Sequence, residues 1–229
     1  LSERRPRHCA LPPNCNANRS PPPLTAESAQ CLNKAAEYFT ELGRLSIAAK
    51  HFKDMAEIFE EQAEIPEAII FYTKAADLYA GEEVTSTANN CKLKVASLSA
   101  QVEDYTTAIQ LFNEVALSSL DSNLLKYSVK GYLLQAGLCV LCSADGVGIA
   151  NFIDRAVETD ATFEDTREHK LLVDLAACME EGDVPKYTST VQEFDSMSRL
   201  DQWKTTLLLR AKKRCAARET AGGDDDDLT

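Results

Sequence analysis

Apolar residues recur along most of the chain at intervals of three and four, interrupted about every twenty residues by short polar stretches. That spacing lines one side of an α-helix. No stretch alternates with period two for long enough to argue for a strand. Ala36, Ala56, Ala76, Ala96, Ala116, Ala136, Ala156 and Ala176 repeat every twenty residues, Ser196 keeps a small residue in the series, and Ala216 resumes it. Four residues before the alanines stand Leu32, Tyr72, Phe112 and Phe152, at steps of forty. The alternate helices carry Phe52, Tyr132 and Leu172 at the same place, with Lys92 as the exception. Four residues make one helical turn, so the bulky and the small residue share a face.

A twenty-residue step holds a helix of roughly fifteen residues and a short turn. Two steps make a hairpin of about forty residues, the size of unit from which α-solenoids are stacked. Antiparallel helices need a small residue where their backbones come closest, and the aromatic fills the space beside it. The predicted fold is therefore all-α: a tetratricopeptide-like α–α solenoid of antiparallel helix hairpins with a helix period of ~20 residues, ending in a C-terminal helical bundle. An ordinary bundle has no reason to keep one helix length throughout.

The punctuation agrees with this reading. Pro66 and Pro185 fall at the first turn of apolar-periodic runs, where a missing N–H costs nothing. Gly43, Gly81, Gly146 and Gly182 mark joints. Thr25 is the expected N-cap of the first run, and Asp121 or Ser122 that of a long run from 123 to 142. Residues 1–24 differ in kind: six of the eight prolines lie here, and Arg4, Arg5, Arg7 and Arg19 face only Glu3. This is read as a disordered, basic leader; it lacks the amphipathic spacing of a transit peptide, and a truncated or atypical amino terminus is expected. Residues 25–219 form the helical body, and 220–229 a flexible acidic tail.

Charge and chemistry narrow the function. The 229 residues hold 24 Lys plus Arg against 36 Asp plus Glu, a net charge of −12, which argues against a nucleic-acid partner. No apolar run approaches the ~18 residues of a membrane-spanning helix. Most of the eight cysteines lie in helical, apolar-periodic stretches and read as small buried hydrophobes in a reducing compartment. Cys139-x-x-Cys142 lacks the strand-then-helix context of a redox pair. His8, Cys9 and Cys15 lack a fourth metal ligand at a standard spacing. Nucleotide-binding, hydrolase and zinc-protease motifs are absent, and Gly146-Val-Gly148 is a lone G-x-G. His51 and His169 read as surface residues. Neither an enzyme nor a cofactor is expected. A solenoid without a catalytic site is a binding surface, and Arg44, Lys50, Lys92, Lys94, Lys126 and Lys130 recur near the same ends of successive helices. Much of the acid (Glu57, Glu60, Glu61, Glu64, Glu180, Glu181 and the tail) lies elsewhere.

The run Phe194-Asp-Ser-Met-Ser-Arg-Leu-Asp-Gln-Trp-Lys-Thr-Thr-Leu-Leu-Leu-Arg210, followed by an acidic tail ending Asp-Asp-Leu228-Thr229, closely resembles the carboxyl end of alpha-SNAP proteins. These are soluble attachment proteins of NSF, the N-ethylmaleimide-sensitive membrane-fusion ATPase. Gly43-Arg-Leu-Ser-Ile-Ala-Ala-Lys50, Ser86-Thr-Ala-Asn-Asn-Cys-Lys-Leu-Lys-Val95 and Leu124-Leu-Lys-Tyr-Ser-Val-Lys130 resemble the family too, and the ending resembles plant members most. The resemblance, from about residue 30 onward, implies an adaptor in vesicle-mediated transport. Such an adaptor wraps a four-helix bundle of syntaxin-type and partner SNAREs and presents its acidic end to the hexameric ATPase that unwinds it. It implies a cytoplasmic protein, peripheral on the cytosolic face of endomembranes and active in membrane fusion, including ER–Golgi transport. Family members carry further helices and a membrane-touching apolar loop before this point, so weaker engagement of SNAREs and membrane is expected here.

Residue by residue, the resemblance implies SNARE contacts at Arg44, Lys50, Lys92, Lys94 and Lys130, with Asn90 where members often have lysine. It implies ATPase contacts at Asp145, with Ala144 as the alternative alignment, and at Glu180, Glu181 and the penultimate Leu228. Ala177 falls where the family can carry an acid. The alternatives are a generic tetratricopeptide-type scaffold or chaperone adaptor gripping the acidic terminus of a client, and a nonproductive truncated paralogue.

Overall fold

The structure is a computed structural model that describes residues 26–221 apart from 123 and 145. Among the described residues there are ten α-helices and no strand. They are α1 (Ala26–Glu41), α2 (Leu45–Glu61), α3 (Ile65–Gly81), α4 (Thr85–Gln101), α5 (Tyr105–Leu120), α6 (Val129–Ser143), α7 (Gly146–Thr159), α8 (Arg167–Glu181), α9 (Val184–Met197) and α10 (Gln202–Ala221). Successive helices pack on one another from α1 to α5, joined by three-residue turns too short for anything but reversal. The chain is an α–α solenoid of helix hairpins, as its periodicity predicts. Thr25, the leader with His8, Cys9 and Cys15, Asp145, and the last eight residues including Leu228 lie outside the described residues. α10 runs to Ala221, two residues past the expected end of the helical body at 219.

The alanine ladder is the seam of the stack. Ala36, Ala56, Ala76, Ala96, Ala116, Ala136 and Ala156 are all buried, most of them completely. Beside them Phe52, Tyr72, Phe112, Phe152 and Leu172 are buried too, so the small-and-bulky pair fills those crossings, while Leu32 and Tyr132 are half-buried. The seam then fades. Ala176 and Ala216 are half-buried and Ser196 is exposed.

The helix spacing changes earlier than this, without breaking the seam at Ala136 or Ala156. From α2 to α5 the helices start at 45, 65, 85 and 105, but α6 starts at 129. The run from 123 to 142 is not one helix: Asp121 caps the end of α5, a 3-10 turn occupies Lys126–Ser128, and α6 begins at Val129. Leu124 and Tyr127 are 87% and 74% exposed, so no apolar stripe extends the helix backward.

The early turns share one geometry. Gly43 donates its N–H to the Thr40 carbonyl (3.0 Å) and Arg44 to that of Phe39 (2.9 Å), with Gly43 left-handed at φ 69°. Such a turn satisfies carbonyls at the helix end and reverses the chain. Ala63 (φ 61°), Glu83 (φ 58°) and Glu103 (φ 68°) repeat the conformation at twenty-residue steps without glycine's freedom. Later helices start instead on side-chain caps. Thr166 accepts from the His169 N–H (3.2 Å), Asp183 from Lys186 (2.8 Å) and Asp201 from Lys204 (2.8 Å).

Two apolar cores result. One joins α1 to α4 through Phe52, Met55, Phe59, Tyr72, Val95 and Leu98. The other runs from α4 to α10 through Phe112, Leu133, Leu138, Leu172, Tyr187 and Leu207. α10 closes the second by packing on α6, α8 and α9. It also lies across helix ends. Trp203 Nε1 donates to the Ser97 carbonyl (2.9 Å), and its ring meets Phe112 edge-on at 5.8 Å. Arg210 donates to the carbonyls of Ala100 (2.8 Å) and Gln101 (2.9 Å), and Arg214 to those of Leu141 (2.9 Å) and Ala144 (3.1 Å). Guanidinium groups thus satisfy the unpaired carbonyls and the negative dipole ends of α4 and α6.

Candidate interaction surfaces

The five basic residues expected on one surface all belong to even-numbered helices or their starts. Arg44 stands at the entry to α2, Lys50 within it, Lys92 and Lys94 on α4, and Lys130 on α6. Lys50, Asn90 and Lys130 are forty residues apart, each six residues before a buried alanine of the seam, although Lys130 is the second residue of its helix and the other two are the sixth. Lys170 on α8, also exposed, extends the row by another forty. The sequence reading missed it, although the step from Lys130 would have found it.

Their charge states differ. Arg44 and Lys50 are exposed and form no ion pair with another described residue. Lys94 binds both carboxylate oxygens of Glu60 on α2 (2.8 and 3.0 Å), and Glu60 also accepts from the Tyr72 hydroxyl (2.7 Å). Burial, then that carboxylate, pushes the Tyr72 phenol far above its ordinary value. Lys92 pairs with Glu114 of α5, and Lys130 with Glu168 of α8 at 3.3 Å. Three of the five cations are therefore already satisfied within the chain. Lys94–Glu60 is the most open of the three, and exposed pairs contribute only about 0–1 kcal/mol, so a partner offering several carboxylates displaces it readily, whereas Lys92 and Glu168 are each mostly covered. Between α2 and α4 runs a groove of about 360 Å³, edged by Lys53, Glu57, Asn90 and Lys94 and floored by Tyr72 and Leu93.

The acidic pair is at the other end of the molecule's sequence, as the last two residues of α8. Glu180 and Glu181 are both exposed. Gly182 follows in the left-handed region (φ 71°) and ends the helix, its N–H donating to the Cys178 carbonyl. Glu181 pairs with Lys186 (2.9 Å), whose ammonium it holds above the ordinary lysine range. Ala177 is half-buried on the same helix, and Ala144 is half-buried beyond the end of α6.

Some single-residue expectations change. Cys91, Cys139, Cys142, Cys178 and Cys215 are buried free thiols, but Cys31 is exposed, because among the described residues α1 packs chiefly on α2 alone. Burial pushes the Cys139 thiol far up and Cys142 up to about 11, away from thiolate chemistry. His51 and His169 are not free surface groups: His51 stacks on Phe39 at 5.6 Å and His169 meets Phe163 edge-on at 5.5 Å. Among the described residues no cluster of three or more His, Cys, Asp or Glu is placed to hold a metal. No helix among them is long and apolar enough to cross a membrane.

Stacked hairpins, a periodic basic row and an acidic helix end define a helical-repeat binding protein. Comparison with known sequences takes the assignment further. The profile of the SNAP family, soluble NSF attachment protein, matches residues 15–216. The chain is 51% identical over 203 residues to an alpha-soluble NSF attachment protein of Vitis vinifera, covering 89% of this chain and 69% of the relative. It is 45% identical over 203 residues to the Mus musculus alpha-soluble NSF attachment protein, covering 88% and 66%. It is 37% identical over 205 residues to a probable vesicular-fusion protein sec17 homolog of Schizosaccharomyces pombe, covering 89% and 69%. The chain belongs to the SNAP family, and it spans about two thirds of the length of these relatives. The relatives are named as attachment and vesicular-fusion proteins, in keeping with the adaptor and against the enzyme.

Proposed function

We propose that this chain is an adaptor that holds SNARE complexes through its even-numbered helices and recruits and stimulates NSF through its acidic end, in SNARE disassembly during vesicle fusion. The observation that carries the reading is the set of cations on α2, α4 and α6, with Lys50 and Lys130 at eighty residues' separation and Lys92 and Lys94 beside Asn90 midway, in a chain whose α8 ends in an acidic pair. A four-helix SNARE bundle is a long rod, and a charge row spaced by one hairpin meets it at several points along its length. Coulomb attraction of this kind speeds encounter and sets register more than it supplies affinity. It acts over about 8 Å at physiological ionic strength, so capture weakens as salt is raised.

Arg44 and Lys50 are the cations free to engage first. Lys92, Lys94 and Lys130 exchange Glu114, Glu60 and Glu168 for acids of the bundle. Residues 25–219 are the working body, Asp145, Glu180 and Glu181 bind the ATPase, and the acidic segment after the body, with Leu228, stimulates ATP hydrolysis. Work at the cytosolic face of endomembranes, as a peripheral protein, follows from these partners.

The decisive experiment deletes residues 224–229 and measures ATP hydrolysis by NSF on immobilised SNARE complex. Loss of stimulation with SNARE capture intact is expected. An unchanged rate favours the generic scaffold. In the same assay the double change Lys50→Glu and Lys130→Glu weakens SNARE capture roughly tenfold, while Glu60→Gln, which frees Lys94, strengthens it.

A further inference from the structure

The two acids that end α8 are held differently. Glu181 is neutralised by Lys186 of α9. Glu180 reaches instead toward the start of α7: its Oε1 lies 2.7 Å, and its Cγ and Cδ 3.3 and 3.4 Å, from the point where a Cβ on residue 146 would stand. Gly146 is the first residue of α7, so the carboxylate faces the positive end of that helix. Any side chain at 146 would take the space the carboxylate now fills.

The joint that carries Gly146 is itself held from α10. Arg214 donates Nη1 to the Leu141 carbonyl and Nη2 to that of Ala144, two residues before Gly146. The next residue, Cys215, directs its Sγ to the Cys178 carbonyl at 3.4 Å, two residues before Glu180. One turn of α10 therefore fixes the end of α6 and the end of α8 relative to each other.

We propose that Gly146 and Arg214 are positioning residues of the acidic end: Gly146 leaves the space in which the Glu180 carboxylate is aimed, and Arg214 fixes the joint on which Gly146 stands. This rests on the NSF-facing role proposed for Glu180. The atom that a Cβ at 146 meets is the far end of a flexible side chain, not backbone. Gly146→Ala therefore swings Glu180 aside and leaves the core untouched, which separates aim from folding.

The test follows ATP hydrolysis by NSF on immobilised SNARE complex as a function of the concentration of the full chain. Gly146→Ala is expected to raise the concentration for half-maximal stimulation roughly threefold, with the maximal rate, SNARE capture and melting temperature unchanged. Glu180→Gln gives the same shift, and the double variant is no weaker than Glu180→Gln alone, because both remove one interaction. Arg214→Met raises the same concentration, and Arg214→Lys, able to reach one carbonyl, restores part of it. Wild-type behaviour of Gly146→Ala, or additive effects in the double variant, overturns the proposal while leaving the adaptor intact. A wild-type chain that stimulates no hydrolysis overturns both.

Discussion

In the first four helices the core forms between sequence neighbours, whereas from α6 onward the contacts that close it reach back 70 to 110 residues. Both halves are helical and both bury alanine, yet they solve the same problem differently. A stack of equal hairpins needs only a small residue at each crossing and a turn that reverses the chain. The later helices vary in start and length, so no single rung can serve them. There α10 takes over, with Trp203, Arg210 and Arg214 on one face (spacings of seven and four) gripping the ends of α4 and α6. Regular spacing makes packing local; where spacing breaks, one long helix restores it from a distance.

The largest expected effect breaks the seam. Ala96→Leu forces an isobutyl group into a fully buried crossing of the second core and costs about 3 kcal/mol by urea denaturation, whereas Ser196→Leu, on the exposed rung, stays within about 0.5 kcal/mol of wild type. Equal costs at both rungs would contradict the fading of the ladder. Next, Arg210→Met removes the charged donor to Ala100 and Gln101 and lowers stability by about 2 kcal/mol. Hydrogen exchange then speeds at the end of α4 but not in α1 to α3, which sharpens the boundary between the halves. Smaller is the gain from relieving a strained turn: Glu83→Gly at φ 58° stabilises by about 0.5 kcal/mol, while Gly43→Ala at φ 69° destabilises.

The smallest effect is electrostatic and belongs to the second half. For Asp201, burial pushes the carboxyl up, but hydrogen bonds from the Lys204 N–H and ammonium outweigh it and hold the acid below its ordinary range. A carboxylate with a depressed folded value contributes stability above its unfolded value and loses it as pH falls through the folded one. Asp201→Asn should therefore flatten the acid limb of a stability–pH profile below about pH 4, and a limb of unchanged slope would contradict the assignment.

Much of the first half was legible because its rule is periodic. The alanines, the bulky partners and the length of each unit announce themselves in a linear string. The turns at Ala63, Glu83 and Glu103 did not, since no glycine marks them; helix length and seam register impose a left-handed residue there regardless. The split at 121–129 was missed because Leu124 and Tyr127 look like helix-core residues until exposure shows otherwise. Lys50, Asn90 and Lys130 could be placed in one row from their spacing, but Glu60, Glu114 and Glu168, which neutralise Lys94, Lys92 and Lys130, stand on other helices. Nor does anything local to Arg210 or Arg214 say that backbone carbonyls will be their partners. Glu180 was found by resemblance; its different treatment from Glu181 depends on Gly146, more than thirty positions earlier.

The grip of α10 on distant helix ends sets an order of events when the polypeptide is made. Most of the neighbour-to-neighbour core can settle once α4 has left the ribosome, with only the end of α4 waiting for Trp203 and Arg210. The later helices emerge with frayed ends and an uncovered flank, and remain so until the final long helix arrives to bolt them down. A nascent chain stalled before residue 202 would thus be half finished in a literal sense, with a settled front and a rear open to chaperones.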